Sequence, residues 1–171
     1  MNERKSLGIA VVGAGRIGSL RARLAAGHPA VNFIAVADAD PARARDLAQK
    51  VGAQFHSGDN LAAISRPEVS AVIVATSEGE HVEPLMQALA RGKAVLVEKP
   101  IALTLDEADR IVAEAGRNGA SLRVGYSRRY KDRYLIAKEQ IVQGRVGRIV
   151  GASARVFNSR SQALAMLKRN P

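Results

Sequence analysis

The chain has no cysteine and no tryptophan, and its aromatic residues amount to 4%. Without cysteine there are no disulfides, no thiolate nucleophiles and no thiolate metal sites, and the composition suits a reducing compartment. The shortage of aromatics bears on the charge. A net +10 at pH 7 invites a polyanionic partner, yet the run around Arg128, Arg129, Lys131 and Arg133 lacks the repeated stacking residues of a single-strand binder. Nucleic acid is therefore not expected as a partner. Long apolar runs are also missing. The apolar stretch that follows the basic start "MNERKS" is about six residues long, where a membrane-spanning helix needs about 20, and it leads straight into a glycine motif. Neither a signal peptide nor a membrane span is expected, and the cytoplasm is the default location. The three histidines, His28, His56 and His81, have no spacing that suggests a metal site.

Acidic residues are scarce in one region only. The last 51 residues hold 12 Lys and Arg but just two acids, Asp132 and Glu139, so the whole excess of +10 lies there. Two differently built regions are joined: a dinucleotide-binding domain over 1–125, and over 126–171 a connecting helix with the start of a second domain for substrate or oligomerisation.

What the first region has in plenty is alternation. Apolar runs of strand length fall over 8–12, 33–37, 71–75, 94–97 and 122–125, and amphipathic stretches of helix length over 16–26, 41–51, 80–91 and 105–118. Successive βαβ units follow. The nearly unbroken strands "IAVV", "AVIV" and "AVLV" suit a parallel sheet covered on both faces, so the predicted class is doubly wound α/β of the Rossmann type. Asp40 before Pro41, Gly52 and Gly92 after helices, and Thr104 three residues ahead of Glu107 mark helix ends. Beyond 125 the pattern predicts a polar loop "YSRRYKDRY", a helix over 134–143, a strand in "GRIVGASARVF" and a short helix in "SRSQALAMLKR". A lone strand and helix bury no core, so this reads as the opening of an incomplete second α/β domain.

Gly13, Gly15 and Gly18 form G-x-G-x-x-G directly after a predicted strand and at the head of a helix, which is the setting this motif requires. Gly13 permits the tight turn, Gly15 lets a pyrophosphate approach the backbone, and Gly18 brings the helix close to the sheet. Arg16 and Ile17 lie between them, where helix amides hold phosphates. Asp38, twenty residues after Gly18, stands where an acid meets the adenosine ribose hydroxyls, favouring NAD over NADP; its bland alternative is to cap the next helix, as Asp40 could equally do. Arg43 and Arg45 lie close enough to soften that preference. Thr76 and Ser77 follow a strand at the carboxyl edge, where they either touch cofactor or start the next helix. In "AVLVEKPIAL" an apolar strand ends in Glu98, Lys99 and Pro100. If these emerge at the same edge, Lys99 faces the nicotinamide end, where its ammonium can stabilise a developing alkoxide. Pro100 fixes the turn, with a cis bond as one option. The alternative for any strand-end lysine is a solvated charge.

The order and spacing of "VVGAGRIG", "VADADPARA", "VIVAT", "GKAVLVEKPIALTLDEA" and "VGYSRRYKDRY…GRVGRI" resemble those of the Gfo/Idh/MocA family of NAD(P)-dependent oxidoreductases, above all its inositol-dehydrogenase-like members, over about residues 7–157. The Glu-Lys-Pro element is far more specific than the glycines. The resemblance implies an N-terminal cofactor domain, a C-terminal α/β domain that supplies Asp and His, and oxidation or reduction of sugars and polyols. It implies that Lys99 is the catalytic or substrate-orienting lysine, that Gly13, Gly15, Arg16, Ile17, Gly18, Asp38, Thr76, Ser77, Glu98, Lys99 and Pro100 line the cofactor, and that Tyr126 and Arg128 reach the substrate. No histidine follows His81, so the general base of that pattern is missing here. The expectation is the cofactor-binding part of an NAD-dependent dehydrogenase for a small polyhydroxylated substrate, homo-oligomeric through its second domain and inactive or slow as this chain alone. The alternative is a non-catalytic module that binds a nucleotide or a partner chain in the same pocket.

Overall fold

The computed structural model describes residues 6–155, 157, 159–161 and 164. Six strands, β1 (Leu7–Val12), β2 (Val31–Ala37), β3 (Phe55–Ser57), β4 (Ala71–Val74), β5 (Ala94–Val97) and β6 (Leu122–Val124), form one sheet in the order β3-β2-β1-β4-β5-β6. Every neighbouring pair is parallel. Between them run α1 (Arg16–Ala26), α2 (Pro41–Val51), α3 (Asn60–Ile64), α4 (Val82–Leu89) and α5 (Leu105–Arg117).

Successive side chains of a strand point to opposite faces, and here both faces are buried. Ala10, Val12, Val72, Val74, Val95 and Val97 join Leu85 and Leu89 of α4 and Ile111 of α5 in one layer. Val11, Ile34, Val36 and Ile73 join Ala22 of α1 and Ala44 and Leu47 of α2 in the other. This two-sided burial is why the strands read as unbroken apolar runs. Leu85, Leu89 and Ile111 are fully covered, and each such burial contributes about 2 kcal/mol.

The helix ends follow the local chemistry. Asp40 caps α2 by accepting from the amides of Ala42 and Arg43, with Pro41 in the first turn. Gly52 closes that helix at φ 67°, a left-handed conformation that glycine adopts without a steric penalty. Thr104 and Glu107 form a reciprocal capping box on α5. The helix expected over 80–91 is shorter: a 3₁₀ turn at Glu78–Glu80 precedes α4, and Pro84 sits in the first turn of α4, where its missing N–H costs nothing.

Two elements are new relative to the sequence reading. β3 and α3 have three and five residues, too short for any periodicity to register. Tertiary packing makes them: β3 pairs with β2 in parallel, and the Arg66 guanidinium lies 5.1 Å from the centre of the Phe55 ring.

The chain divides into two units between Tyr126 and Ser127. The second contains a 3₁₀ turn, Ser127–Tyr130, and α6 (Asp132–Val142), close to the expected helix. The strand expected in "GRIVGASARVF" does not form over residues 147–155, and Phe157 is not in a strand either; Val156 lies outside the described residues. An alternating pattern holds a strand only where another strand takes up its backbone donors and acceptors, and the described residues of this unit contain none. Most of the expected final helix also lies outside the described residues, of which Arg160, Ser161 and Leu164 are helical.

Candidate active site

The strand ends are level. Ala37, Val12, Val74, Val97 and Val124 occupy one register row across β2, β1, β4, β5 and β6. The ladder continues one residue further on each: Gly13 N donates to Ala37 O at 2.8 Å, Ala75 N to Val12 O at 2.8 Å, Glu98 N to Val74 O at 2.9 Å, and Gly125 N to Val97 O at 2.7 Å. The glycine turn and the Glu98-Lys99-Pro100 turn therefore leave the sheet at the same carboxyl edge, separated by β4. With strands about 4.8 Å apart, Gly13 and Glu98 are about 10 Å from each other along that edge. The strand order reverses between β1 and β4, and it is outside such a reversal that open α/β sheets form their crevice.

Two of the three glycines are dictated by space. Gly13 has φ +98°, and a Cβ there would lie 2.5 Å from the carbonyl oxygen of Ala75. A Cβ on Gly18 would lie 1.7 Å from the carbonyl oxygen of Gly13. Gly15 differs: nothing lies within 4 Å of where its Cβ would be. It is the N-cap of α1, and no side chain caps that helix. The first-turn amides of Arg16, Ile17 and Gly18 have no partner within a helix, so this end of α1 offers donors and a positive dipole to an anion that could approach over Gly15.

Asp38 stands at the rim of this turn. Its carboxylate accepts from the amide of Ala14 at 2.7 Å and from that of Asp40 at 2.9 Å. It does not cap α2, which Asp40 does. Thr76 follows β4 beside Gly13, and its hydroxyl is buried with no hydrogen-bond partner. A buried orphan hydroxyl is a costly feature that calls for a partner. Ser77 is exposed, and its hydroxyl donates to Glu80 at 2.5 Å.

At the β5 end, Lys99 is exposed. Its side chain is 63% accessible, and its ammonium lies 3.8 Å from the Glu78 carboxylate. The residues on either side of it are held. Glu98, expected among the cofactor contacts, engages Arg21 of α1 through one oxygen: its Oε1 accepts from Nε at 2.7 Å and lies 2.5 Å from Nη2. The peptide bond from Lys99 to Pro100 is cis. The carbonyl oxygen of Pro100 lies 2.7 Å from Nδ1 of His81, the one buried polar side chain in the described core, at 1% exposure. Because a carbonyl only accepts, Nδ1 carries the proton and donates.

Residues 7–126 match the family model described as an oxidoreductase family with an NAD-binding Rossmann fold. The chain belongs to the Gfo/Idh/MocA family. Among its relatives is a scyllo-inositol 2-dehydrogenase (NAD(+)) of Bacillus subtilis, 31% identical over 140 residues, a match that covers 81% of this chain and 41% of the relative. An inositol 2-dehydrogenase of Saccharopolyspora erythraea is 37% identical over 146 residues, covering 84% and 43%. The solved scyllo-inositol dehydrogenase of Lactobacillus casei with bound NAD(H) and scyllo-inositol superposes with a TM-score of 0.78 at 26% identity, covering 84% of this chain and 43% of that one. The chain thus spans less than half the length of the relatives it matches. Among the described residues, no helix is long and apolar enough to cross a membrane.

This Gfo/Idh/MocA domain gathers Gly13, Gly15, Arg16, Ile17, Gly18, Asp38, Thr76, Ser77, Lys99 and Pro100 along one sheet edge. Tyr126 closes the first unit; it is half exposed, and its amide donates to Val124 O at 2.8 Å. Arg128 is exposed in the 3₁₀ turn of the second unit. Arg21 and His81 were not among the expected site residues. Arg21 is an ordinary basic residue on a helix face in sequence, and nothing short of tertiary structure pairs it with a glutamate 77 positions away.

Proposed function

We propose that this chain is the cofactor-binding part of an NAD-dependent dehydrogenase that acts on a CH–OH group of a small polyol or sugar. The observation that carries the reading is the level edge at which the open glycine turn and the Glu98-Lys99-Pro100 turn both leave the sheet.

The residues present fit a dinucleotide. Gly15 leaves room for a pyrophosphate and the α1 N-terminus supplies its donors. The unpartnered Thr76 hydroxyl supplies a further polar contact, and Asp38 accepts from ribose hydroxyls. A carboxylate so placed repels a 2′-phosphate by about 1 kcal/mol at 4 Å in water and about 4 kcal/mol at an effective dielectric of 20. Arg43, the nearest candidate to offset that repulsion, lies 3.5 Å from Asp40. NAD is therefore the preferred cofactor.

When bound, NAD supplies the hydride acceptor. The chain's own part is to orient and to stabilise charge. Lys99 donates a hydrogen bond to the substrate hydroxyl and stabilises the alkoxide that develops as the hydroxyl proton is taken, the charge that hydride departure from carbon then converts to a carbonyl. Glu98 is held through Oε1 by Arg21, and Tyr126 contributes a donor to the substrate. The reading assigns the proton acceptor to the part of the relatives' length that this chain does not span. The inositol names of the relatives support a polyol substrate, and the cysteine-free composition suits the cytoplasm.

Calorimetric titration with NAD and NADP tests the reading. The folded chain is expected to bind NAD at least about tenfold more tightly than NADP. A folded sample that binds neither refutes the proposal.

A further inference from the structure

Lys99 is exposed and its ion pair with Glu78 spans 3.8 Å, the one it makes among the described residues, so its own side chain does little to fix where the ammonium goes. Its backbone is another matter. On the N-terminal side, Glu98 is tied by its main chain to Val74 and by its Oε1 to Nε and Nη2 of Arg21. Both partners are largely covered, with side chains 23% and 16% accessible, which strengthens a charge-assisted hydrogen bond relative to a surface pair. On the C-terminal side, the Pro100 carbonyl is tied to His81. His81 is fully buried, and a buried imidazole that lost this partner would pay the desolvation of its N–H in full. The two ties run to different elements: Arg21 lies on α1, whose N-terminus is the glycine turn, and His81 immediately precedes α4.

We infer that Arg21 and His81 are positioning residues for Lys99, clamping the backbone on both sides of it so that its ammonium is held at the nicotinamide end of the crevice. The inference rests on the cofactor reading above. It adds that α1 serves both ends of the crevice, its N-terminal amides facing the pyrophosphate and its Arg21 holding the lysine turn. Neither residue touches cofactor or substrate.

The test uses this chain uniformly labelled with ¹⁵N, unsubstituted and as Arg21→Met, His81→Leu and His81→Asn. The asparagine amide nitrogen can stand where Nδ1 stands, so it restores the donor that leucine removes. In the free chain, hydrogen exchange at the Glu98 amide, which donates to Val74 O at 2.9 Å, is expected to accelerate about tenfold in Arg21→Met and His81→Leu, as loss of one buried or charged hydrogen bond dictates. His81→Asn should return the rate to within about threefold of the parent. Amides of β1 and α2 should keep their rates. Titrations with ADP-ribose and NADH separate the two ends of the cofactor: the clamp variants should keep ADP-ribose affinity while losing the same part of the NADH affinity and fluorescence change that Lys99→Met loses. Combining His81→Leu with Lys99→Met should add nothing further.

Unchanged exchange at Glu98 in both clamp variants overturns the inference, whatever the cofactor does. So does a loss of ADP-ribose affinity as large as that of NADH, since it would mark a general structural role. If His81→Leu does not fold, Arg21→Met alone decides by the same two readings. An unsubstituted chain that binds neither ligand overturns the cofactor reading and with it the purpose of the clamp, whereas ligand binding with unaltered Glu98 exchange rejects the clamp alone.

Discussion

The carboxylate of Asp38 accepts the amide proton of Ala14 across 2.7 Å, joining the end of β2 to the glycine turn after β1. The acid proposed to read the ribose therefore also braces the turn proposed to hold the pyrophosphate. Asp38→Asn and Asp38→Ala separate these tasks. Asparagine keeps an acceptor for Ala14 but loses the charge and the oxygen that accepts from Asp40, so the NAD-over-NADP preference should shrink about tenfold at a cost of about 1 kcal/mol of stability. Alanine should lose the preference and about 2 kcal/mol of stability, one contribution for each hydrogen bond removed. Equal discrimination by all three proteins in calorimetry would remove Asp38 from the cofactor site.

The glycines predict opposite outcomes for one and the same substitution. Gly18→Ala drives a methyl to 1.7 Å from a backbone oxygen and should cost about 3 kcal/mol or more in urea unfolding. Gly15→Ala meets no atom within 4 Å, so its stability should stay within about 1 kcal/mol of the parent, the N-cap preference against alanine being the main cost. Its methyl occupies the open approach to the α1 amides, and NAD affinity should fall by about tenfold or more. A Gly15→Ala chain with full affinity would disprove pyrophosphate binding at this turn.

Thr76 supplies a sign test. Its hydroxyl is buried without a partner, so Thr76→Val, of the same shape, should raise stability by about 1 kcal/mol while weakening NAD binding about fivefold. Thermal unfolding with and without NAD reads both at once. A valine variant that is less stable and binds equally well would mean that the hydroxyl has a structural partner instead of a ligand.

Lys99 should matter little to folding. Its ammonium is exposed and its pair with Glu78 spans 3.8 Å, the kind of contact that contributes about 0 to 1 kcal/mol. Lys99→Met is expected to unfold within about 0.5 kcal/mol of the parent and to bind ADP-ribose with unchanged affinity. A large loss of stability would reassign Lys99 from chemistry to structure.

Much of this was legible before any coordinates. Short continuous apolar runs and 3.6-residue patterns gave five of the six strands and the main helices, because both faces of a parallel sheet are buried and their strands can hardly contain anything else. Asp40, Gly52 and the Thr104–Glu107 box were readable because capping is a contact between near neighbours in sequence. The glycine spacing was readable for the same reason, since a turn and a helix start are local events. β3 and α3 escaped because each is shorter than the window in which a period can register, and their existence depends on Phe55 and Ile64 finding a core. The strand expected in "GRIVGASARVF" does not form over 147–155 on the opposite count: it has the pattern, but the described residues give it no neighbouring strand, and a pattern makes no hydrogen bonds alone.

Local order along the chain thus settled the fold class, the position of the glycine turn and the presence of an unusual lysine after an apolar strand. Tertiary structure alone decided that Glu98 belongs to Arg21, that His81 is buried beneath Pro100, and that Asp38 turns to Ala14 while Asp40 caps the helix. The reason is distance along the chain. Propensity, periodicity and capping act over a few residues, whereas the direction of a charged side chain is chosen among partners 19, 24 or 77 positions away, and only packing the sheet brings those partners within reach.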